Sequence, residues 1–253
     1  GVYLSFCKFS TIKKAKFVGL ANYQYALTDE SFYHSFGYTL AFAVVSVVLI
    51  NVIAFMLALA LTSKIKGKDI YRTVFFMPNL IGGIVLGYIW KTLLDCFLSL
   101  IGQPLLALNE TWGFVGLVIL MCWQQIGYMM IIYIAGLQAI DTAYLEAAMI
   151  DGATKLQTLF RVKIPNVMSS ITICLFLTLT NGFKLFDQNL ALTGGEPAHK
   201  SEMLALNIYD TFYARSGKQW KGYGQAKAVI FCILVIVISL IQLRATKSKE
   251  VQA

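Results

Sequence analysis

The sequence predicts an all-α, polytopic transmembrane helix bundle, with about five complete spans plus the end of a truncated first span. Composition and charge spacing carry that prediction. Of 253 residues, 58% are hydrophobic and only 13% charged, and the mean hydropathy is +0.68. A soluble domain holds roughly a quarter charged residues. The few charges leave long gaps. No Asp, Glu, Lys or Arg occurs between Glu30 and Lys64, Arg72 and Lys91, Glu110 and Asp141, Lys163 and Lys184, or Lys227 and Arg244. About 20 apolar residues cross a bilayer core of about 30 Å. In lipid each backbone polar group needs a partner inside its own segment, so such runs are helices.

Taken in order, GVYLSFCKF (Gly1–Phe9) reads as the tail of a span that starts upstream. Lys8 to Phe32 reads as a polar loop. Span A covers about Ser35–Leu61 and holds one amide, Asn51, expected to hydrogen-bond a neighbouring helix. Span B covers about Thr73–Leu94. Pro78 predicts a kink there, and Gly82, Gly83 and Gly87 allow a neighbouring helix to approach closely. Cys96–Asn109, broken by Gly102 and Pro104, reads as an interfacial segment. Span C covers about Trp112–Ile140, and span D about Asn166–Leu192. A polar stretch, Thr193–Lys227, precedes span E, which ends at Arg244. Spans A, B and C are expected to have uncharged interiors. The whole chain, 1–253, reads as a single transmembrane domain.

Between spans C and D lies EAAMIDGATKLQTLFRVKIP (Glu146–Pro165), with two acids and three bases. Asp141 can cap a helix starting near Thr142. Leu145, Met149, Leu156 and Phe160 recur at helical spacing as one apolar stripe. Asp151-Gly152 is a turn signal, and Pro165 disfavours helix at the residue before it. Two short helices bent at Gly152 are therefore expected, with a break before span D. The stripe suits either an interfacial helix on the membrane or a helix laid into a groove of a partner.

Orientation follows basic residues, but a plain count ties. Lys64, Lys66, Lys68, Arg72, Lys155, Arg161, Lys163, Arg244, Lys247 and Lys249 fall on one side. Lys8, Lys13, Lys14, Lys16, Lys91, Lys200, Arg215, Lys218, Lys221 and Lys227 fall on the other. Long loops count for less, which tilts the first side toward the cytoplasm.

Several functions are excluded or set aside. The net charge of +8 is scattered between apolar runs, with no basic stripe for nucleic acid; headgroup contact accounts for it. Five cysteines (Cys7, Cys96, Cys122, Cys174, Cys232) include no CxxC and read as packing residues. His34 and His199 form no ligand spacing, so no metal residue is assigned. GxSxG, HExxH and GxxxxGK[ST] are absent, so the chain does not read as an enzyme. An ion-coupled secondary transporter or channel subunit stays open as an alternative.

Polar side chains at membrane depth are expensive and usually functional. Gln124, Gln125 and Tyr128 on span C, and Asn181, Gly182, Phe183, Lys184, Phe186 and Asp187 on span D, are the candidate lining of a substrate pathway. Amides and charges hydrogen-bond hydroxyls, and aromatic faces cover sugar rings. Lys184 and Asp187, three apart, also suit a simple ion pair.

Glu146-Ala147-Ala148, Gly152, Val162, Ile164 and Pro165 resemble the EAA loop of binding-protein-dependent ABC importer permeases. That pattern is EAA, three residues, Gly, nine residues, then Ile-x-Leu-Pro; Val162 and Ile164 depart conservatively. FVGLANY (17–23), YRTVFFMP (71–78), AGLQAI (135–140), LTGGEP (192–197, Glu196 replacing a glycine) and GYGQAKA (222–228) are similar to further segments of the sugar-importer branch, the maltose and glycerol-phosphate type. The resemblance implies that residues 141–165 form a cytoplasmic coupling loop. In it Glu146, Ala147, Ala148, Gly152 and Pro165 dock on an ATPase, with Glu146 held by polar contacts. It implies a second permease subunit, two ATPase subunits and an extracytoplasmic solute-binding protein docking near Thr193–Lys227. The ATPases bind ATP and Mg, so no cofactor is expected in this chain. A sugar substrate and a multi-pass place in the bacterial plasma membrane are likewise implied.

Overall fold

The structure is a computed structural model that describes residues 1–63, 66–215 and 217–247. Lys64 and Lys249 of the orientation count lie outside the described residues, as does the side chain of Lys218.

The elements in chain order are α1 (Val2–Ser5), β1 (Cys7–Lys8), β2 (Lys16–Phe17), α2 (Ala21–Thr28), α3 (Glu30–Leu61), α4 (Lys68–Phe76), α5 (Gly83–Leu100), α6 (Glu110–Gln138), α7 (Thr142–Ile150), α8 (Lys155–Thr158), α9 (Ile164–Asn166), α10 (Met168–Phe183), α11 (Asp187–Leu192), α12 (Leu204–Tyr213) and α13 (Lys218–Lys247). Among the described residues, α3, α5, α6 and α13 are each long and apolar enough to cross a membrane. A bent pair, 155–166 with 168–183, makes a fifth span if counted as one. The architecture is the expected helical one, with two departures near its start: β1 and β2 pair antiparallel, Cys7 opposite Phe17, so the expected span tail turns extended at Cys7, and α2 lies within the stretch read as polar loop.

Contacts divide the chain into two compact units. One holds Gly1–Val44, Gly82–Leu120 and Asn181–Ile238; the other holds Val45–Ile81, Met121–Thr180 and the end of α13 from Ser239. A single domain was expected. The long helices α3, α6, α10 and α13 each lend residues to both units.

In the first unit, α3 begins five residues before the expected Ser35, because Asp29 accepts hydrogen bonds from the backbone N–H (3.1 Å) and hydroxyl (2.9 Å) of Ser31 and so caps the helix. Helix α5 packs along α11. A Cβ on Gly83 would lie 2.9 Å from Asp187 Cβ, and one on Gly87 would lie 2.5 Å from Ala191 Cβ, whereas Gly82 faces open space. Two of the three span B glycines thus serve close helix approach. Helix α5 also runs on to Leu100 and takes in Cys96, and the expected break falls at Gly102, φ +69°. Helix α5 holds Lys91 and, because it runs on past Leu94, Asp95 as well; span B is not free of charge. Asp95 accepts from the Leu106 backbone N–H at 2.9 Å.

In the second unit, Pro78 does more than kink a helix. Helix α4 stops at Phe76, and a 3-10 turn, Met77–Leu80, follows. Helix α6 supports this segment with Gly127, whose missing side chain leaves room for the Phe75 carbonyl; a Cβ there would collide with it. Asn51 makes the expected interhelical link. Its Nδ2 donates to Thr178 Oγ1 at 2.9 Å, and its Oδ1 accepts from the Tyr133 hydroxyl at 2.6 Å. Asn51, Tyr133 and Thr178 are all buried, so the three polar groups satisfy one another in an apolar setting.

Candidate functional site

The segment between α6 and α10 forms the anticipated elbow. Asp141 accepts from the Ala143 N–H at 2.9 Å and caps α7. The turn after α7 places Gly152 at φ +71°, with no atom within 4 Å of where a Cβ would stand. Glycine is needed there for backbone angle and not for space. Thr154 then opens α8 with a capping box: Gln157 N–H donates to Thr154 Oγ1 (3.3 Å), and Thr154 N–H donates to Gln157 Oε1 (2.8 Å).

Pro165 behaves differently from expectation. The chain stays helical through it, by way of a π-helical turn at Leu159–Lys163 and then α9. Proline is tolerated in the first turn of a helix, where its missing N–H has no duty. Asn166 Nδ2 donates to the Val162 carbonyl at 2.7 Å. The bend comes two residues later, at buried Val167, and measures 71° between 155–166 and 168–183.

The stripe on the elbow is open. Met149, Leu156 and Phe160 are 64–67% exposed and Ile150 is 86% exposed, while Leu145 is half-buried. Glu146 is exposed and makes no hydrogen bond or ion pair among the described residues. The polar contacts expected to hold it are not made among the described residues. Ala147 is exposed, and Ala148 and Pro165 are half-buried.

The candidate pathway residues fall in different units. In the second unit, Gln124 and Gln125 are buried and Tyr128 is half-buried. Gln124 Nε2 donates to the Ile81 carbonyl at 3.2 Å, which satisfies backbone freed by the break after α4. The Tyr128 ring lies 6.3 Å from that of Phe76. In the first unit, the expected continuous span D is interrupted: α10 ends at Phe183 and α11 starts at Asp187. Asn181 and Phe186 are half-buried, Gly182 and Phe183 buried, and Lys184 and Asp187 exposed. Gly182 lets Ala43 of α3 come close, at 3.4 Å from a would-be Cβ. Lys184 and Asp187 form no ion pair among the described residues, because the break at 184–186 takes them off a common helical face.

The stretch read as a polar loop, Thr193–Lys227, holds α12 and the first turns of α13. Lys227, read as a loop-edge charge, is fully buried. Its Nζ lies 2.7 Å from Asp29 Oδ2 and donates to Asn207 Oδ1 (2.8 Å) and Thr211 Oγ1 (3.0 Å). Asn207 Nδ2 reaches Ser31 Oγ at 3.3 Å, which itself donates to Asp29, so the ring closes. Burial pushes the Asp29 carboxyl up, but the Lys227 ammonium and Ser31 outweigh it and hold it below its ordinary value. Nearby, His199, Glu202 and Asp210 place one ligand-capable atom each within 4.8 Å of one another, a grouping that sequence spacing hid. Glu202 is buried, and burial pushes its carboxyl up to about 7; Asn207 donates to it at 3.1 Å.

Four or five helices long and apolar enough to cross a membrane, with an exposed elbow between two of them, define a class, the polytopic helical membrane proteins. Residues 50–248 match the family described as binding-protein-dependent transport system inner membrane component. The chain is 42% identical over 259 residues to the probable starch degradation products transport system permease protein AmyD of Thermoanaerobacterium thermosulfurigenes, covering 100% of this chain and 88% of that protein. It is 32% identical to the multiple sugar-binding transport system permease protein MsmF of Streptococcus mutans, covering 99% and 89%. In structure it resembles a bacterial ABC transporter involved in import of the acidic polysaccharide alginate, with a TM-score of 0.80, 19% identity, and coverage of 98% and 88%. It also resembles the bacterial alginate transporter in complex with a pentasaccharide-bound periplasmic protein, with a TM-score of 0.74, 20% identity, and coverage of 88% and 81%. The chain belongs to the binding-protein-dependent inner membrane components, and it is a permease subunit of an ABC importer.

Proposed function

We propose that this permease carries an oligosaccharide across the bacterial plasma membrane and that the 141–165 elbow couples it to ATPase subunits on the cytoplasmic side. Relatives named for starch degradation products and multiple sugars support the substrate class. The complete assembly in this reading has a second permease, two ATPases that hold ATP and Mg, and an extracytoplasmic binding protein. The pathway uses Gln124, Gln125 and Tyr128 from α6 and the Asn181–Asp187 break.

The observation that carries the coupling role is the open stripe of Met149, Ile150, Leu156 and Phe160 on two helices hinged at Gly152. A membrane-flat helix would keep its aliphatic side in lipid. Here the stripe is flanked by Glu146 and Asp151 and turned by a left-handed glycine, which suits insertion into a protein groove with apolar anchors. Phe160→Asp is expected to abolish co-purification of the ATPases in mild detergent while the chain still inserts. Retention of the ATPases by that variant, or labelling of the elbow by impermeant reagents from outside intact cells, would overturn the reading.

A further inference from the structure

Helix α12 is turned partly inside out. Its buried side carries Asn207 and Thr211, held by Lys227, beside Leu204 and Leu206. Its open side carries Ala205, Ile208, Tyr209, Phe212 and Tyr213, one stripe at helical spacing. A helix left to sequence hydrophobicity would bury its aromatics and expose its amide. The buried ring of Lys227, Asp29, Ser31 and Asn207 fixes the opposite arrangement.

The exposed rings form a ladder. Tyr209 stands 5.1 Å from Phe186 and 5.0 Å from Tyr213, centroid to centroid, and Phe212 stands 4.7 Å from Tyr213. Phe186 comes from the break between α10 and α11, so rings from two elements wall a hollow of about 380 Å³ whose rim includes Gln225. Tyr209 is 41% and Tyr213 68% exposed, and neither hydroxyl has a hydrogen-bond partner among the described residues. Tyrosines whose hydroxyls have no partner among the described residues offer apolar ring faces edged by donors and acceptors. That pattern matches the pyranose ring, whose C–H faces stack on aromatics while its hydroxyls hydrogen-bond at the rim. Phe186 joins the hollow to the Asn181–Asp187 break.

We propose that this hollow is a second sugar site, where pyranose rings of an oligosaccharide stack on Tyr209 and Tyr213 before reaching the break at Phe186. The inference rests on the sugar-import reading above and adds a place to it. Longer chains span more of the ladder, so the site favours them.

The test uses the whole transporter with its binding protein in proteoliposomes, and maltotriose and maltohexaose as probes. The paired variant Tyr209→Leu/Tyr213→Leu is expected to raise KM for maltohexaose roughly tenfold, and for maltotriose less, with kcat kept; Tyr209→Phe/Tyr213→Phe retains most of the affinity. A Tyr213→Cys variant in a Cys96→Ser/Cys232→Ser background is expected to react with an impermeant maleimide and to be protected by maltohexaose. Wild-type uptake of both glucans with unchanged KM in the leucine pair would overturn this site alone. No uptake of either by the wild type would overturn the substrate reading itself. A cysteine that stays unlabelled with and without sugar would assign the face to a neighbouring subunit and overturn the site.

Discussion

Replacing Lys227 with Met tests the buried ring most directly. Lys227 is fully buried, and the Asp29 side chain is only 12% exposed. The substitution keeps the aliphatic stem but removes an ammonium with three oxygen partners at 2.7, 2.8 and 3.0 Å. Asp29 then keeps only Ser31, and the Asn207 and Thr211 oxygens lose their donor. Removing one partner of a buried pair costs about 3–5 kcal/mol, chiefly because the other charge is stranded. Protonation of Asp29 relieves part of that, so about 3 kcal/mol is the working figure, and a chain of this size should lose on the order of 10 °C in apparent melting temperature. Adding Asp29→Asn removes the stranded charge and should return at least half of the loss. The assay is fluorescence-detected thermal unfolding of the purified protein in one detergent, for both single variants and the double. If the double variant is destabilised by the sum of the singles, the pair carries no coupling and the account of α12 as a pinned helix fails.

Other expectations follow from the same geometry. Asp29 is held below its ordinary value of 3.8; its contribution is therefore present above that value and lost as pH falls through the lower folded value. Thermal stability should drop in acid more steeply for the wild type than for Asp29→Asn. Glu202 behaves oppositely, since its folded value is raised from 4.5 to about 7: stability should decline as pH rises through that window, and Glu202→Gln should flatten the decline in the same unfolding assay. Gly127→Ala forces a methyl into the Phe75 carbonyl and should cost about 1–3 kcal/mol, read as lower thermal stability. Tyr133→Phe removes the hydrogen bond that Asn51 Oδ1 accepts and should cost about 0.6 kcal/mol, measured the same way. Gly152→Val should cost roughly 1–2 kcal/mol of local strain and abolish sugar uptake with insertion intact, whereas Gly152→Asn, which accepts that backbone angle, should retain uptake.

The bundle was legible because charge spacing reports helices in lipid directly, and Asp141, Gly152 and Asn51 were legible because each carries a local rule: a cap, a positive φ, a lone amide among aliphatics. Other features depend on partners distant in sequence. Lys227 reads as a loop charge until Asp29, Asn207 and Thr211 surround it. The late start of α5 follows from a 3-10 turn that Gln124 and Gly127 support from another helix. Pro165 misled because the pre-proline rule is local, and a π-helical turn let the helix continue to Val167. Paired glycines did hold a clue: Gly222 and Gly224 sit where a Cβ would meet the Cys7 carbonyl and the Phe212 side chain, and that crowding marks the start of α13 as packed rather than looped.

The 71° corner at Val167 has a mechanical consequence. A push delivered along the axis of the segment before the corner is directed mostly sideways on α10, so it tilts that rod instead of sliding it lengthwise. In the coupling proposed above, the corner works as a bell crank on α10.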